Sequence, residues 1–248
     1  MALSEQVAYC GSCLISVFFP HEINPIDVSR RDLRHGRRAL RQRAVLICEA
    51  ACRMFQNLYH TAVQPADFVP FVGAGENRYI GGVAEKHGLA IDITAAKRRT
   101  YAIYLEIIRG RLTPLPGARE FIAACRRGGL ALAVATSADR VKLTGNLAQI
   151  GIAPAAFDVC LTGDDVEKKK PHPEIFLTAA ARLNLPPGAC LVVEDAPNGI
   201  RAGQAAGCPC LGLTTSFAAA DLQAAGADWL AADLAAVPAE LLAQLLPA

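Results

Sequence analysis

From Leu115 to the end of the chain, short unbroken apolar runs alternate with segments whose apolar residues recur at helical spacing. That alternation limits the possible folds more than any other feature. Ala118, Phe121, Ile122 and Cys125 stand at i, i+3, i+4 and i+7, the stripe of one helix face, and Gly128-Gly129 ends the pattern. Residues 130–135 are apolar without a break, as in a strand buried on both faces. The series continues with a helix after Ser137 (Leu143, Leu147 and Ile150 on one face), a strand at 157–161, a helix at 173–183, a strand at 190–193 and a helix at 198–206 stopped by Gly207. Short strands at 210–213 and 228–230 complete it. Strands alternating with helices form βαβ units, so residues 113–248 are expected to be an α/β core: a doubly wound, Rossmann-like parallel sheet with helices on both faces.

Residues 44–112 read differently. Helices are expected at 44–59, 77–87 and 94–108 with no clear strand, which suggests a helical cap inserted over the carboxyl ends of the sheet, where such folds bind ligands. In residues 1–43 the apolar run at 14–19 is the one candidate strand, and seven arginines stand against Glu5, Glu22, Asp27 and Asp32. The arginine-rich stretch from Arg30 to Arg43 has no apolar period and is expected to be poorly ordered. It carries the chain's basic excess, and a net charge of only +2 gives no reason to invoke nucleic acid.

The unbroken apolar stretches are far shorter than the roughly 18–20 residues of a membrane span, so no membrane partner is expected. Nine cysteines is an odd number, and Cys125, Cys160 and Cys190 sit inside apolar patterns. Buried free thiols in a reducing compartment, cytoplasm or chloroplast, fit better than a disulfide framework. Cys10-Gly-Ser-Cys13 lacks the flanking strand and helix that a redox CxxC needs.

Three segments carry chemistry, and each follows a strand. In Ala135-Thr136-Ser137-Ala138-Asp139, a hydroxyl at the strand tip and amides entering a helix suit an anionic oxygen, and Ser137 or Asp139 equally suits the cap of that helix. In Lys168-Lys169-Lys170-Pro171-His172-Pro173-Glu174, three lysines ordinarily mark a solvated loop. Lys170, however, is fixed by a proline at the cleft edge and offers a point charge for a phosphoryl group, while His172 between two prolines reads as a turn residue. In Val193-Glu194-Asp195-Ala196-Pro197-Asn198-Gly199, two carboxylates directly after a buried strand require neutralisation, and hard oxygens there suit Mg²⁺ better than two helix-capping acids.

A strand followed by Thr or Ser, then Lys-Pro-x-Pro-Glu, then Glu-Asp-x-x-x-Gly resembles the second, third and fourth motifs of the haloacid dehalogenase-like superfamily. The likeness is nearest to its β-phosphoglucomutase and phosphoglycolate phosphatase-like branch, which has a helical cap. Asp67-Phe68-Val69-Pro70-Phe71-Val72-Gly73-Ala74-Gly75-Glu76 and Val134-Ala135-Thr136-Ser137-Ala138-Asp139-Arg140 are similar to the corresponding domain of the plant and algal suppressor of quenching proteins. The likeness covers about residues 44–235 and is the reason to favour a chloroplast. It implies a Mg²⁺-dependent phosphatase or phosphosugar mutase acting on a small phosphorylated metabolite, expected here as a monomer. Thr136 and the Ser137 amide would bind the phosphoryl group, Lys170 would neutralise it and steady the nucleophile, and Asp195 with Glu194 would anchor Mg²⁺.

The family's first motif, Asp-x-Asp-Gly, supplies the nucleophile and the general acid–base. No Asp-x-Asp occurs in this chain, and matching Ala44-Val45-Leu46 to the family's Gly-Val-Leu puts Arg41 and Arg43 in the aspartate positions. Asp27 and Asp32 have no apolar run immediately before them, and Glu22 follows the run at 14–19 only across a Pro-His break and without a partner acid. The expectation is an impaired enzyme, a non-catalytic phosphate-binding module, or a core to which residues 1–43 do not belong. Gly73-Ala-Gly75 lacks the third glycine and the strand of a dinucleotide loop, so it reads as a cap loop with Glu76 and Arg78 facing the substrate.

Overall fold

The computed structural model describes residues 8–9, 15–18, 45–71 and 75–246. A six-stranded sheet runs in the order β5 (Val159–Leu161), β4 (Ala131–Ala135), β2 (Ile15–Phe18), β6 (Cys190–Glu194), β7 (Cys210–Leu213) and β8 (Trp229–Ala231). β4 and β5 pair in parallel, as do β6 with β7 and β7 with β8. A separate parallel pair joins β1 (Ala8–Tyr9) to β3 (Leu112–Thr113).

The unbroken apolar strands are explained by helices on both faces. On β4, Leu132 and Val134 join one apolar cluster while Ala133 and Ala135 join another; on β6, Leu191 and Val193 face the first and Cys190 and Val192 the second. A period of two with both faces covered makes β4 and the first four residues of β6 apolar throughout. The first cluster is closed by α5 (Ala118–Arg127), α6 (Arg140–Ile150) and α10 (Ala239–Leu245). The second is closed by α7 (Glu174–Arg182), α8 (Pro197–Ala206) and α9 (Ala219–Ala224).

The helical insert consists of α1 (Val45–Tyr59), α2 (Pro65–Phe68), α3 (Glu76–Lys86) and α4 (Ile93–Ile107) around its own core of Met54, Phe55, Phe68, Ile80 and Val83. Fully burying a side chain of this size contributes about 1.5–3 kcal/mol, so this cluster is a main source of the insert's stability. Asp92 starts α4 by accepting from the Thr94 and Ala95 amides. Among the described residues no helix is long and apolar enough to cross a membrane.

The main departure from expectation is β2. It pairs antiparallel with both β4 and β6 at the centre of an otherwise parallel sheet. The candidate strand at 14–19 thus supplies β2, while the arginine-rich stretch from Arg30 to Arg43 lies outside the described residues. Cys10, Cys13, Glu22, Asp27, Asp32, Arg41 and Arg43 lie outside the described residues.

Candidate functional site

The carboxyl ends of β4 and β6 bring the three expected segments to one edge of the sheet. Thr136 follows Ala135, is 1 % exposed, and its Oγ1 accepts from the Ala138 amide at 3.1 Å. That bond tightens the turn into α6, with Ser137 at its apex. Asp139 stands at the N-cap of α6 without capping through its side chain; its carboxylate instead pairs with Lys97 at 2.6 Å.

The three lysines separate by environment. Lys168 is exposed, and its amide donates to Glu174. The ammonium of Lys169 bonds to the carbonyls of Gly163 and Val166. Lys170 is buried: its Nζ donates to the Ala135 carbonyl at 3.0 Å and to Glu194 Oε1 at 2.5 Å, and lies 4.6 Å from the centre of the Phe176 ring. His172 is a turn residue whose Nδ1 accepts from the Glu174 amide.

Glu194 ends β6. One carboxylate oxygen meets Lys170 and the other accepts from the amides of Asp195 and Ala196 at 3.0 and 3.2 Å. Gly199 makes room for it, because a Cβ there would lie 2.1 Å from Glu194 Cδ. Asp195, 2 % exposed, accepts from the Ser216 hydroxyl and, at 3.5 Å, from that of Thr215. Thr215 and Ser216 were not anticipated. Hydroxyls just past strand β7 carry the same signal that identified Thr136.

Glu194, expected beside Asp195 as a Mg²⁺ ligand, has its oxygens bonded to Lys170 and to the amides of Asp195 and Ala196. Among the described residues no three His, Cys, Asp or Glu side chains converge as a metal site. Mg²⁺ takes a near-octahedral set of oxygens. The described side chains do not supply that set, and the Asp195 carboxylate itself accepts from Ser216 and Thr215. Glu76 and Arg78, expected to face a substrate, both have partners within the protein. Glu76 pairs with Lys142 at 2.9 Å in a buried contact, and exposed Arg78 pairs with Glu85 at 2.7 Å over the Phe71 ring.

The seven described cysteines are all unpaired. Burial pushes the thiols of Cys125, Cys190 and Cys208 up to about 12. Cys48 and Cys52, one turn apart on α1, share a hydrogen bond that raises the first and lowers the second.

A profile of the haloacid dehalogenase-like hydrolases matches residues 36–207. The chain is 41% identical over 171 residues to Protein SUPPRESSOR OF QUENCHING 1, chloroplastic, of Arabidopsis thaliana, covering 68% of this chain and 16% of that protein. It is 36% identical over 145 residues to Protein CbbY of Rhodobacter capsulatus, covering 57% of this chain and 63% of that one. The match therefore spans less than two thirds of the length of either relative. CbbY from Rhodobacter sphaeroides, solved with xylulose-(1,5)bisphosphate, superimposes with a TM-score of 0.70 at 27% identity over 77% of this chain and 88% of that one. β-Phosphoglucomutase from Clostridium difficile shares the fold, with a TM-score of 0.70 at 18% identity over 82% of this chain and 90% of that one.

Proposed function

The chain belongs to the haloacid dehalogenase-like hydrolase family, and from that premise we propose that it is a phosphatase- or phosphosugar-mutase-type protein for a small phosphorylated metabolite, with turnover curtailed by the absent Asp-x-Asp pair. The observation that carries this reading is Lys170, a buried ammonium held between the ends of β4 and β6 beside Thr136. An ammonium has three donors. Ala135 and Glu194 take two, and the third is suited to an anionic oxygen. Thr136 orders the turn so that the Ser137 amide meets the same oxygens at the start of α6, where a helix favours negative charge. Lys170 would bind and neutralise the phosphoryl group, and Glu194 would keep it pointed there.

The family likeness implies Mg²⁺ as the ion for such a reaction. The described side chains do not complete a site for it, and Asp195, oriented by Ser216 and Thr215, would be the single carboxylate among them toward one. A second reading, a phosphate-binding module without turnover, is favoured by the sequence match that sets Arg41 and Arg43 against the family's two aspartates. Two guanidinium groups attract phosphate but cannot form an aspartyl-phosphate. The chloroplastic relative supports a chloroplast location, and the unpaired thiols accord with a reducing compartment.

Turnover of an aryl phosphate with Mg²⁺, alongside direct binding of inorganic phosphate, separates the two readings. Turnover abolished by Lys170→Ala and Asp195→Asn supports the enzyme. Binding lost in Lys170→Ala without turnover in any form supports the module. If Arg41→Asp/Arg43→Asp/Ala44→Gly yields a folded protein with no new activity, loss of the motif is not what limits turnover. If the unmutated chain binds no phosphate, both readings fall.

A further inference from the structure

The insert meets the core along one face of α6. Asp139, Lys142 and Asn146 are spaced i, i+3 and i+7 and so share that face. Each takes a partner from the insert. Lys97 Nζ lies 2.6 Å from Asp139 Oδ2, Glu76 Oε1 lies 2.9 Å from Lys142 Nζ, and the Tyr104 hydroxyl donates to Asn146 Oδ1 at 2.8 Å. Gly145 lets α4 come close, since a Cβ there would lie 2.2 Å from Leu105 Cδ2. An apolar seam would tolerate sliding, because any register buries similar area. Three polar pairs are satisfied together in only one register.

Of the two ion pairs in this seam, Glu76–Lys142 is the enclosed one, with side chains 8% and 5% exposed against 25% and 17% for Lys97–Asp139. Removing one partner of such a pair leaves an uncompensated buried charge, so it holds the two surfaces tightly or not at all. The residue just before Glu76 is Gly75. It sits where a Cβ would lie 3.8 Å from Lys169 Cγ and 4.0 Å from the Ser137 carbonyl oxygen. The first turn of α3 therefore hangs over two of the loops that form the proposed phosphate site.

We infer that Glu76 and Lys142 are a positioning pair: they fasten α3 to α6 and thereby set the space above Ser137 that receives the organic part of a phosphorylated ligand. The inference rests on the phosphate-site reading and adds to it which residues set the room above the site. Neither residue touches the phosphoryl group.

The test uses the full chain with Lys142→Met, the milder Glu76→Gln, and the charge swap Glu76→Lys/Lys142→Glu. Amide hydrogen exchange is followed in α3 and, as an internal control, in β6. Binding is measured for inorganic phosphate and for triose, pentose and hexose monophosphates. Lys142→Met should speed exchange in α3 by about tenfold or more, as expected for a broken buried pair, with β6 unchanged. It should weaken the tightest-bound sugar phosphate by about tenfold while inorganic phosphate changes by less than about twofold, and the charge swap should recover most of both losses. Should Lys142→Met not fold, Glu76→Gln is expected to show the same pattern in smaller degree. Unchanged exchange in α3, equal weakening of inorganic and organic phosphates, or no recovery in the swap would overturn the inference. If the unmutated chain binds no phosphate, the phosphate-site reading fails and the positioning role goes with it, while exchange in α3 still decides whether the pair fastens the insert.

Discussion

Lys170 and Glu194 form a buried ion pair, Nζ to Oε1 at 2.5 Å with side chains 6% and 7% exposed, between the loop before α7 and the last residue of β6. The pair turns a loop lysine into a fixed charge at the sheet edge. Lys170→Met leaves the Glu194 carboxylate without its counter-charge and should cost about 3–5 kcal/mol. The double variant Lys170→Met/Glu194→Leu should recover much of that loss, because a matched apolar pair avoids the desolvation penalty. Phosphate binding should be lost in both, so denaturant unfolding and phosphate titration together separate the stabilising role from the binding role.

Gly199 offers a subtler way to disturb the same pair. A Cβ at this position would meet Glu194 Cδ at 2.1 Å, and Glu194 cannot swing aside without releasing Lys170 or the two amides it accepts from. Gly199→Ala should cost about 1–3 kcal/mol, as overpacking does, and weaken phosphate binding in a protein that still folds. Gly188→Ala is the control. Nothing lies within 4 Å of its added Cβ, and its stability should stay within about 0.5 kcal/mol of the unmutated chain.

Asp67 ties the insert's second helix to its third. Its carboxyl is held well below the ordinary carboxylate value of 3.8 by Lys86, then by the Gln64 amide and His87. A carboxyl depressed on folding stabilises at pH values above its unfolded value, and that stability is lost as pH falls through the folded value. Asp67→Asn should therefore lower Tm by a constant amount from about pH 5 to pH 8, and the gap should close below about pH 4. Thermal melts across that range check it; a gap that persists undiminished in acid would show that the charge of Asp67 is not what stabilises.

The thiols should react unequally. A hydrogen bond from Cys48 lowers the half-buried Cys52, whereas burial raises Cys125, Cys190 and Cys208 to about 12. The thiolate is the reactive form. Among the described cysteines, a maleimide at pH 8 should label Cys52 first, and the three raised thiols should label only on unfolding. Peptide mapping by mass spectrometry reads the order. Cys48→Ala, which removes the donor, should slow labelling at Cys52 by a few-fold.

The sequence alone determined the α/β core, the helical insert and the placement of Thr136, Lys170, Glu194 and Asp195. Buried strands appear as unbroken apolar runs and strand ends as the first polar residue after them, so the sheet edge could be read one segment at a time. Helix limits were legible for the same reason, to within a residue or two at α1, α3 and α4.

Only the tertiary structure decided who meets whom. Glu194 and Asp195 are adjacent and alike in type, yet one faces Lys170 and the other faces Ser216 and Thr215. That split depends on groups 20 to 24 residues away, which no local pattern specifies. The spacing of Lys142 and Asn146 reports that they share a helix face without saying what covers it, and the insert covers it. The direction of β2 was equally illegible. A strand of four residues has the same apolar signature in either direction, and its sense is fixed by the neighbours it bonds to, β4 and β6.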